Sequence, residues 1–250
     1  MPFTLAHPAA VLPLLRHPFV PVALITGSMA PDTPYFLTAI GIRSTHAGDW
    51  YGSFLNATTT HSLRGLPIDL LYAVILVGAY WLLRAPITAL GVTLPKLGRP
   101  NLGWLAVSAL IGAGTHLLWD FLTDADFVPV PRLLQYASTA FGLIVIAWYA
   151  WNHRTQLRSP DATPPLPAAT RLPDSTRRAV IGLLIAAPLL AAAVLAPADF
   201  INYQEASDTW TGVAEGVLTG AVKRAGAAFA ITLLLYALIS RTTTWLQRSS

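Results

Sequence analysis

Apolar residues in this chain are gathered into long continuous stretches, and these stretches predict helices that cross a membrane. A bilayer core of about 30 Å needs roughly 20 mostly apolar helical residues. Four stretches meet this requirement with few or no charges, and a fifth is longer but is interrupted by Lys223 and Arg224. The predicted spans are Leu66–Leu83, Leu102–Leu122, Leu133–Trp151, Ala179–Ala198 and Gly212–Ser240.

The fifth stretch allows two interpretations. It is either one tilted span or an interfacial helix that leads into a short span beginning near Ala225, and we slightly favour the second. Gly216 and Gly220 in this stretch form a GxxxG pattern, which permits close contact between helices. In a chain rich in Ala and Gly, chance is the simpler explanation of that pattern.

The first 43 residues predict a different element. The apolar segments Ala9–Leu15 and Phe19–Met29 are separated by residues 16–18, and they reach only about 10 and 16 Å at 1.5 Å per residue. Neither segment can cross the membrane alone, so the pattern favours a re-entrant or interfacial helical hairpin that returns Asp32 close to the level of His7. The predicted fold is therefore all-α: a polytopic transmembrane helical bundle of about five spans plus this hairpin.

The composition agrees with a membrane protein. Charged residues make up 11% of the 250 residues and hydrophobic residues 54%, whereas a soluble domain carries about 25% charged residues. These values exclude a disordered chain and an ordinary soluble enzyme. The net charge of +4 reflects arginines dispersed among loops and not a nucleic-acid surface. We expect membrane lipids as partners and no nucleic acid, and the sequence points to no protein partner.

The charges between the spans predict the orientation. Lys and Arg dominate loops 84–101 and 152–178 and the C-terminal tail, whereas Asp and Glu dominate loops 123–132 and 199–211. Since Lys and Arg concentrate on the cytoplasmic side, the basic segments lie inside and the acidic loops outside. This predicts an integral protein of a bacterial cytoplasmic membrane with a cytoplasmic C-terminus.

The chain is interpreted as one integral membrane domain over residues 1–250. Five prolines between residues 160 and 173 favour an extended, solvated connection. The subdivisions are a motif-bearing part at 1–151, a proline-rich cytoplasmic loop at 152–178, and C-terminal helices at 179–250.

Ionisable residues inside or beside a span raise a functional question. His116 and Asp120 are four residues apart near the outer end of the second span, so they share one helix face. His61 precedes the first span, Asp69 lies within it, and the hairpin is flanked by one His and one Asp. Cys is absent, and nitrogen and oxygen ligands of this kind suit zinc, with manganese and iron as alternatives. The predicted metal ligands are His7, Asp32, His61, His116 and Asp120.

Each residue also has a simpler explanation. A single His at a helix end is more often interfacial, and Asp120 can form a hydrogen bond with His116. Asp32 follows Ala30-Pro31 and can act in a turn or as a helix cap. The joint placement of three separate segments on one side favours the metal site. In that case Asp32 or Asp69, whichever is not a ligand, is the catalytic general base.

The predicted metal ligands lie within a series of five motifs: Met1 to Ala10 (MPFTLAHPAA), Gly27 to Asp32 (GSMAPD), Thr60-His61-Ser62 followed by Gly65 and Pro67, Gly114 to Asp120 (GTHLLWD), and Gln135 to Gly142. Taken in this order, from residue 1 to about residue 145, the motifs resemble those of the DUF4184 membrane proteins. The family in turn resembles, more distantly, membrane-bound metal-dependent hydrolases that share PD, THS and H-x3-D elements.

The resemblance implies metal ligation by His61, His116 and Asp120, with His7 and Asp32 as their partners. One position departs from the family pattern, because Asp124 stands where W-D-x-x-T-H has its final His. An aspartate there changes the hardness of the site and leaves the ligand role of Asp124 open.

Two classes of function follow from these residues. The first is an integral membrane metal-dependent hydrolase with its His/Asp site at the outer membrane face, acting on a lipid-like or amphiphilic substrate. The alternative is a non-enzymatic membrane protein, either an ion-handling carrier or channel or a structural scaffold. Transporters often show repeated halves and broken helices at mid-membrane. Here no halves are visible and the polar residues gather near one end of the spans, which favours the hydrolase.

Overall fold

The structure is a computed structural model. It describes residues 3–44, 51–92, 101–124, 130–154 and 172–249, with the backbone alone described for Asp124 and residues 244–249. Within these ranges every regular element is helical. Five short α-helices come first: α1 Pro8–Val11, α2 Pro21–Gly27, α3 Thr33–Ala39, α4 Gly52–Leu55 and α5 Ala57–Thr60. The 3₁₀ helices are Thr4–Ala6, Leu12–Leu14, Ala30–Asp32 and Leu63–Gly65.

Five long helices follow, and each is long and apolar enough to cross a membrane. They are α6 Leu66–Ala89, α7 Leu102–Asp124, α8 Pro131–Asn152, α9 Asp174–Ala206 and α10 Trp210–Ser249. The prediction of an all-α membrane protein with five spans is therefore confirmed, and α6 and α7 begin at the predicted residues. The predicted N-terminal hairpin consists of short helices, with α1 and α2 on either side of residues 16–18.

The described residues fall into two compact units. Unit 1 comprises Met1–Pro34, Ser44–Trp81 and Thr93–Pro165, and unit 2 comprises Tyr35–Arg43, Leu82–Val92 and Leu166–Ser250. The buried core of unit 1 joins the α2 region to α6 and α7, and partly buried aromatic residues of α6 pack against it. Its buried members are Val20, Val22, Ala23, Ala30, Ala73, Val77, Leu105 and Ala109.

Two glycines allow α2 and α7 to approach each other closely in unit 1. A Cβ atom at Gly27 would overlap the main chain of Ala109, 2.9 Å from its Cα, and a Cβ at Gly112 would lie 2.7 Å from the amide nitrogen of Ser28. Real Cβ atoms do not approach main-chain atoms this closely, so glycine is required at both positions. The close approach brings the main chain of Ser28 next to α7.

The N-terminal residues are held against α8 by a similar contact. The amide of Phe3 donates a hydrogen bond to Thr139 Oγ1 at 3.0 Å. A Cβ at Gly142 would lie 2.8 Å from both the Cβ and the carbonyl oxygen of Ala6. The segment that carries His7 is therefore seated on a long helix.

Unit 2 contains an ion pair between α9 and α10. The guanidinium of Arg224 holds the carboxylate of Asp199 through both of its terminal nitrogens, with Nη2 2.5 Å from Oδ1. The side chain of Asp199 is 6% exposed, and a Cβ at Gly220 would collide with its carboxylate. A Cβ at Gly216 would likewise collide with the ring of Tyr203.

This pair corrects three interpretations made from the sequence. The helix that was expected to end at Ala198 continues to Ala206, since Asp199 is paired inside the bundle and is not a solvated loop residue. The slightly favoured division into an interfacial helix and a short span beginning near Ala225 is wrong, because α10 is one continuous helix whose charge at Arg224 is compensated. Gly216 and Gly220 make room for α9 side chains and are not a chance pattern.

The segments that predict orientation lie partly outside the described residues. Residues 93–100 of the basic loop and residues 155–171 of the proline-rich loop lie outside the described residues. The orientation and the single-domain interpretation therefore stay predictions.

Candidate metal centre

Four segments of unit 1 supply a group of His and Asp side chains. His7 links the first 3₁₀ helix to α1, Asp32 ends the 3₁₀ helix Ala30–Asp32, and His61 directly follows α5. His116 and Asp120 lie one turn apart on α7. All five of these residues were selected from the sequence.

Two imidazoles and two carboxylates define the centre of the group. His61 Nε2 lies 3.2 Å from Asp32 Oδ1 and 3.4 Å from Asp120 Oδ2. His116 Nε2 lies 3.2 Å from Asp120 Oδ2 and 3.7 Å from Asp32 Oδ1. Neighbouring ligands that bind one cation at about 2.0–2.2 Å are separated by about 2.8–3.6 Å. The observed separations are close to this range.

The other nitrogen of each imidazole fixes its tautomer. His116 Nδ1 lies 2.8 Å from the carbonyl oxygen of Ser28, and His61 Nδ1 lies 2.8 Å from that of Ala57. A carbonyl oxygen only accepts hydrogen bonds, so both Nδ1 atoms carry the proton and donate it. In the neutral rings both Nε2 atoms then expose lone pairs, and these two atoms are 3.3 Å apart. Two unprotonated nitrogens this close repel each other unless a cation lies between them, and that cation is either a proton on one ring or a metal ion.

Burial raises the energetic cost of leaving these groups without a cation. His116 is 0% exposed, Asp32 3% and Asp120 8%. Neither carboxylate oxygen of Asp120 has a hydrogen-bond partner within the described ranges. Buried polar groups are normally paired or bind a metal. The group therefore has the composition and the surroundings of a metal site, and two triads of it can hold an ion: His7, His116 and Asp120, and Asp32, His61 and His116.

The electrostatics of Asp32 favour a carboxylate. Burial tends to raise the pKa of Asp32, but the hydrogen bond with His61, the nearby imidazoles of His116 and His7, and the hydroxyl of Thr4 together lower that pKa below its ordinary value. Asp32 is thus available as an anionic ligand at neutral pH.

His7 packs directly against the ring of His116. The two rings are stacked, with centroids 3.7 Å apart and planes inclined by 19°. His7 Nε2 lies 3.6 Å from Asp120 Oδ1, whereas His61 and His116 face the other oxygen, Oδ2. The two oxygens of the Asp120 carboxylate consequently face different imidazoles, with Oδ1 towards His7 and Oδ2 towards His61 and His116.

A hydrogen bond outside the group connects two of its segments. Thr60 Oγ1 donates to the carbonyl oxygen of Pro31 at 2.7 Å, which ties the residue before His61 to the residue before Asp32. Gly65 packs directly against the main chain of this segment, since a Cβ there would lie 2.9 Å from the Cα of Thr60. The hydroxyl of Thr60 thus holds an imidazole and a carboxylate in register.

Asp69 is buried near the group but belongs to neither triad. It is 0% exposed, and both of its carboxylate oxygens are without a hydrogen-bond partner in the part of the chain that the structure describes. Its charge interacts with the imidazoles of His61 and His116. The side chain of Asp124, the open position of the sequence pattern, lies outside the described residues.

Sequence reasoning did not find the acceptors that orient the imidazoles. The carbonyls of Ser28 and Ala57 are main-chain groups and carry no side-chain signature. Thr60 is the first residue of the Thr60-His61-Ser62 motif, so the sequence draws attention to it. The motif does not indicate that the hydroxyl of Thr60 bonds to the carbonyl of Pro31.

The helices and this group define an all-α membrane protein with a buried His/Asp centre compatible with a metal ion. The chain belongs to the DUF4184 family, a domain of unknown function, whose model matches residues 1–128 and 124–238. The match extends well beyond residue 145, whereas the motifs that resemble the family end near that residue. No curated protein and no solved structure matches the chain.

Proposed function

We propose that this protein is an integral membrane metal-dependent hydrolase. The observation that supports it most strongly is the pair of Nε2 atoms of His61 and His116, which are 3.3 Å apart and are the ring nitrogens not hydrogen-bonded to main-chain carbonyls. The carboxylates of Asp32 and Asp120 complete a set of nitrogen and oxygen donors with these two atoms. Zinc fits this set best, and manganese and iron accept the same ligands.

The proposed ligands are His7, Asp32, His61, His116 and Asp120. A divalent metal held by these residues would lower the pKa of a bound water molecule to about 7, which would make hydroxide available near neutral pH. The main-chain acceptors of His61 and His116 keep the two rings oriented, as partners outside the ligand set commonly do in metal sites.

Asp32 and Asp69 have different proposed roles, one as a metal ligand and the other as the general base. Asp32 Oδ1 is 3.2 Å from His61 Nε2, so we assign it to the ligands. Asp69 is buried, is outside both triads and has free acceptor capacity on both oxygens within the described ranges. We assign it as the general base that accepts a proton from the attacking water and returns it to the leaving group.

The proposed substrate is lipid-like or amphiphilic. The side chain of His61 is 14% exposed, the most of the four residues that define the centre, so access from outside is expected past His61. Leu63 follows it at 77% exposure, and Phe121, beside Asp120, is 62% exposed. Exposed apolar side chains close in sequence to His61 and Asp120 favour a substrate that arrives from the lipid phase. The charge pattern of the loops supports a site at the outer face of a bacterial cytoplasmic membrane, with the C-terminus inside.

Elemental analysis of the full-length chain purified in detergent tests the proposal. We expect near-stoichiometric zinc or manganese at neutral pH and its loss when His61 and His116 are both replaced by Ala. His17→Ala is the matched control, since His17 is exposed and outside the group. Hydrolysis of a lipid-like ester with a chromogenic leaving group should disappear in His116→Ala. Absence of bound metal from the wild-type protein contradicts the metal site. Bound metal without hydrolysis across phosphate and carboxylate esters supports the non-enzymatic alternative.

A further inference from the structure

The two oxygens of Asp120 face different imidazoles, and this division has a chemical consequence. Oδ2 is directed at His61 and His116, at 3.4 and 3.2 Å, whereas Oδ1 is directed at His7, at 3.6 Å. A carboxylate that binds one ion through a single oxygen leaves its second oxygen for another donor or another ion. Oδ1 is buried and accepts no hydrogen bond within the described ranges.

The stacked rings place the two positions side by side. His7 and His116 are nearly parallel, 3.7 Å apart, and both turn Nε2 towards the same carboxylate. Ions bound to these two nitrogens would be separated by about the spacing of the rings. Paired metal ions in hydrolytic enzymes are about 3.5–4 Å apart.

His116 cannot serve both positions by itself. Its Nδ1 is committed to the carbonyl of Ser28 at 2.8 Å, so Nε2 is its single available donor. The second position must therefore be built on His7 and on the oxygen of Asp120 that His116 does not face. A separation of 3.6 Å corresponds to two donors that share an ion at about 2.1 Å from each, an ordinary bond length for these ligands.

We propose that the centre binds two divalent cations bridged by the carboxylate of Asp120. The first is held by Asp32, His61, His116 and Asp120 Oδ2, and the second by His7 and Asp120 Oδ1 with water in its remaining positions. This inference rests on the proposed metal site and adds a second ion to it. With two protein ligands, the second ion binds more weakly than the first and is open to oxygen atoms of an incoming substrate. A tetrahedral anion such as phosphate, which presents several oxygens at once, is the substrate group that fits such a pair.

Manganese titration tests the second ion without any assay of activity. The chelator-stripped full-length chain in detergent is titrated with Mn²⁺, and bound metal is measured by equilibrium dialysis and electron paramagnetic resonance. We expect two Mn²⁺ per chain, with a weaker second step and a spectrum in which the two ions are magnetically coupled. His7→Gln should bind one ion and show the spectrum of an isolated Mn²⁺, whereas His17→Gln should retain both. Circular dichroism and size exclusion confirm that each variant is folded.

The possible failures are distinguishable. One ion per wild-type chain overturns the second position and leaves the first intact, and in that case His7 either completes the single site or only supports Asp120. Two ions in folded His7→Gln also overturn it, because the second ion would then be held elsewhere. No ion in the wild-type chain overturns this inference together with the proposed function. If His7→Gln does not fold, the stoichiometry and the coupling in the wild-type chain decide the question.

Discussion

The Nδ1 of His116 donates to the carbonyl of Ser28 at 2.8 Å, and this contact joins α7 to the residue that directly follows α2, 88 positions earlier in the sequence. It exists because α2 and α7 touch main chain to main chain at Gly27 and Gly112. Gly112 precedes His116 by one helical turn, so the packing of glycine directly sets the distance between the imidazole and its acceptor. The direction of Nε2 of His116 thus depends on Gly112, which has no side chain and cannot bind a metal.

Gly112→Ala should therefore weaken both the fold and the metal site. Its Cβ would lie 2.7 Å from the amide nitrogen of Ser28, and a helix backbone cannot move aside as a side chain does. We expect a loss of about 1–3 kcal/mol in the free energy of unfolding and weaker metal binding, measured by thermal unfolding and metal titration in detergent.

Gly114→Ala is the matched control for that variant. Gly114 lies on the same helix, and a Cβ there meets nothing within 4 Å. Replacing a helical Gly by Ala in open space stabilises by up to about 1 kcal/mol. If Gly112→Ala behaves like Gly114→Ala, the close approach of the two helices does not control the site.

The long-range features of this chain could be predicted from the sequence because they depend on side-chain type. The long apolar stretches predict helices that lie in a membrane. Two of these helices, α6 and α7, begin at the predicted residues Leu66 and Leu102. The spacing of His116 and Asp120 required a shared helix face. The loop charges placed the segments that carry these residues on the same side of the membrane. This common side predicts that His116 and Asp120 meet His7 and Asp32.

The remaining features depend on contacts that a single sequence does not encode visibly. The acceptors for His61 and His116 are main-chain carbonyls, which every residue possesses. The end of α9 was misplaced because Asp199 reads as a loop residue until its partner Arg224, 25 residues later, is known. The same partner makes the charge at Arg224 compatible with a continuous helix.

Asp69→Asn separates the general base from the ligands. Since Asp69 is outside both triads, this variant should keep its metal while hydrolysis slows by about 10²–10⁴-fold, the usual contribution of a positioned base. Asp32→Asn should instead lose metal. Elemental analysis together with hydrolysis of the chromogenic ester measures both effects, and loss of metal from Asp69→Asn would make Asp69 a ligand.

Metal binding should weaken as the pH falls. A ligating Nε2 must be unprotonated, so protons compete with the metal for the imidazoles as the pH falls. The pKa of Asp32 is held below its ordinary value by His61, His116, His7 and Thr4 against the opposing effect of burial. Asp32 therefore stays ionised while the imidazoles take up protons. Protonation of the imidazoles, and not of Asp32, accounts for the loss of metal binding.

Titrations between about pH 5 and pH 8 check this expectation. The dissociation constant should be lowest at the alkaline end and should rise with increasing steepness towards pH 5, because more than one imidazole takes up a proton. A dissociation constant that does not change down to pH 5 would show that carboxylates alone hold the ion.

The pair of Arg224 and Asp199 should be a stability determinant of unit 2. Arg224→Ala leaves the carboxylate of Asp199, 6% exposed, without its cation, and removing one partner of a buried pair costs about 3–5 kcal/mol. Replacing both residues by Leu removes the unpaired charge as well, so the double variant should be more stable than Arg224→Ala. Arg177→Ala is the control, because Arg177 and Asp174 are 46% and 81% exposed at 3.9 Å and such pairs contribute about 0–1 kcal/mol. Thermal unfolding in detergent measures all three, and equal stability of Arg224→Ala and Arg177→Ala would mean that water or lipid headgroups reach Asp199.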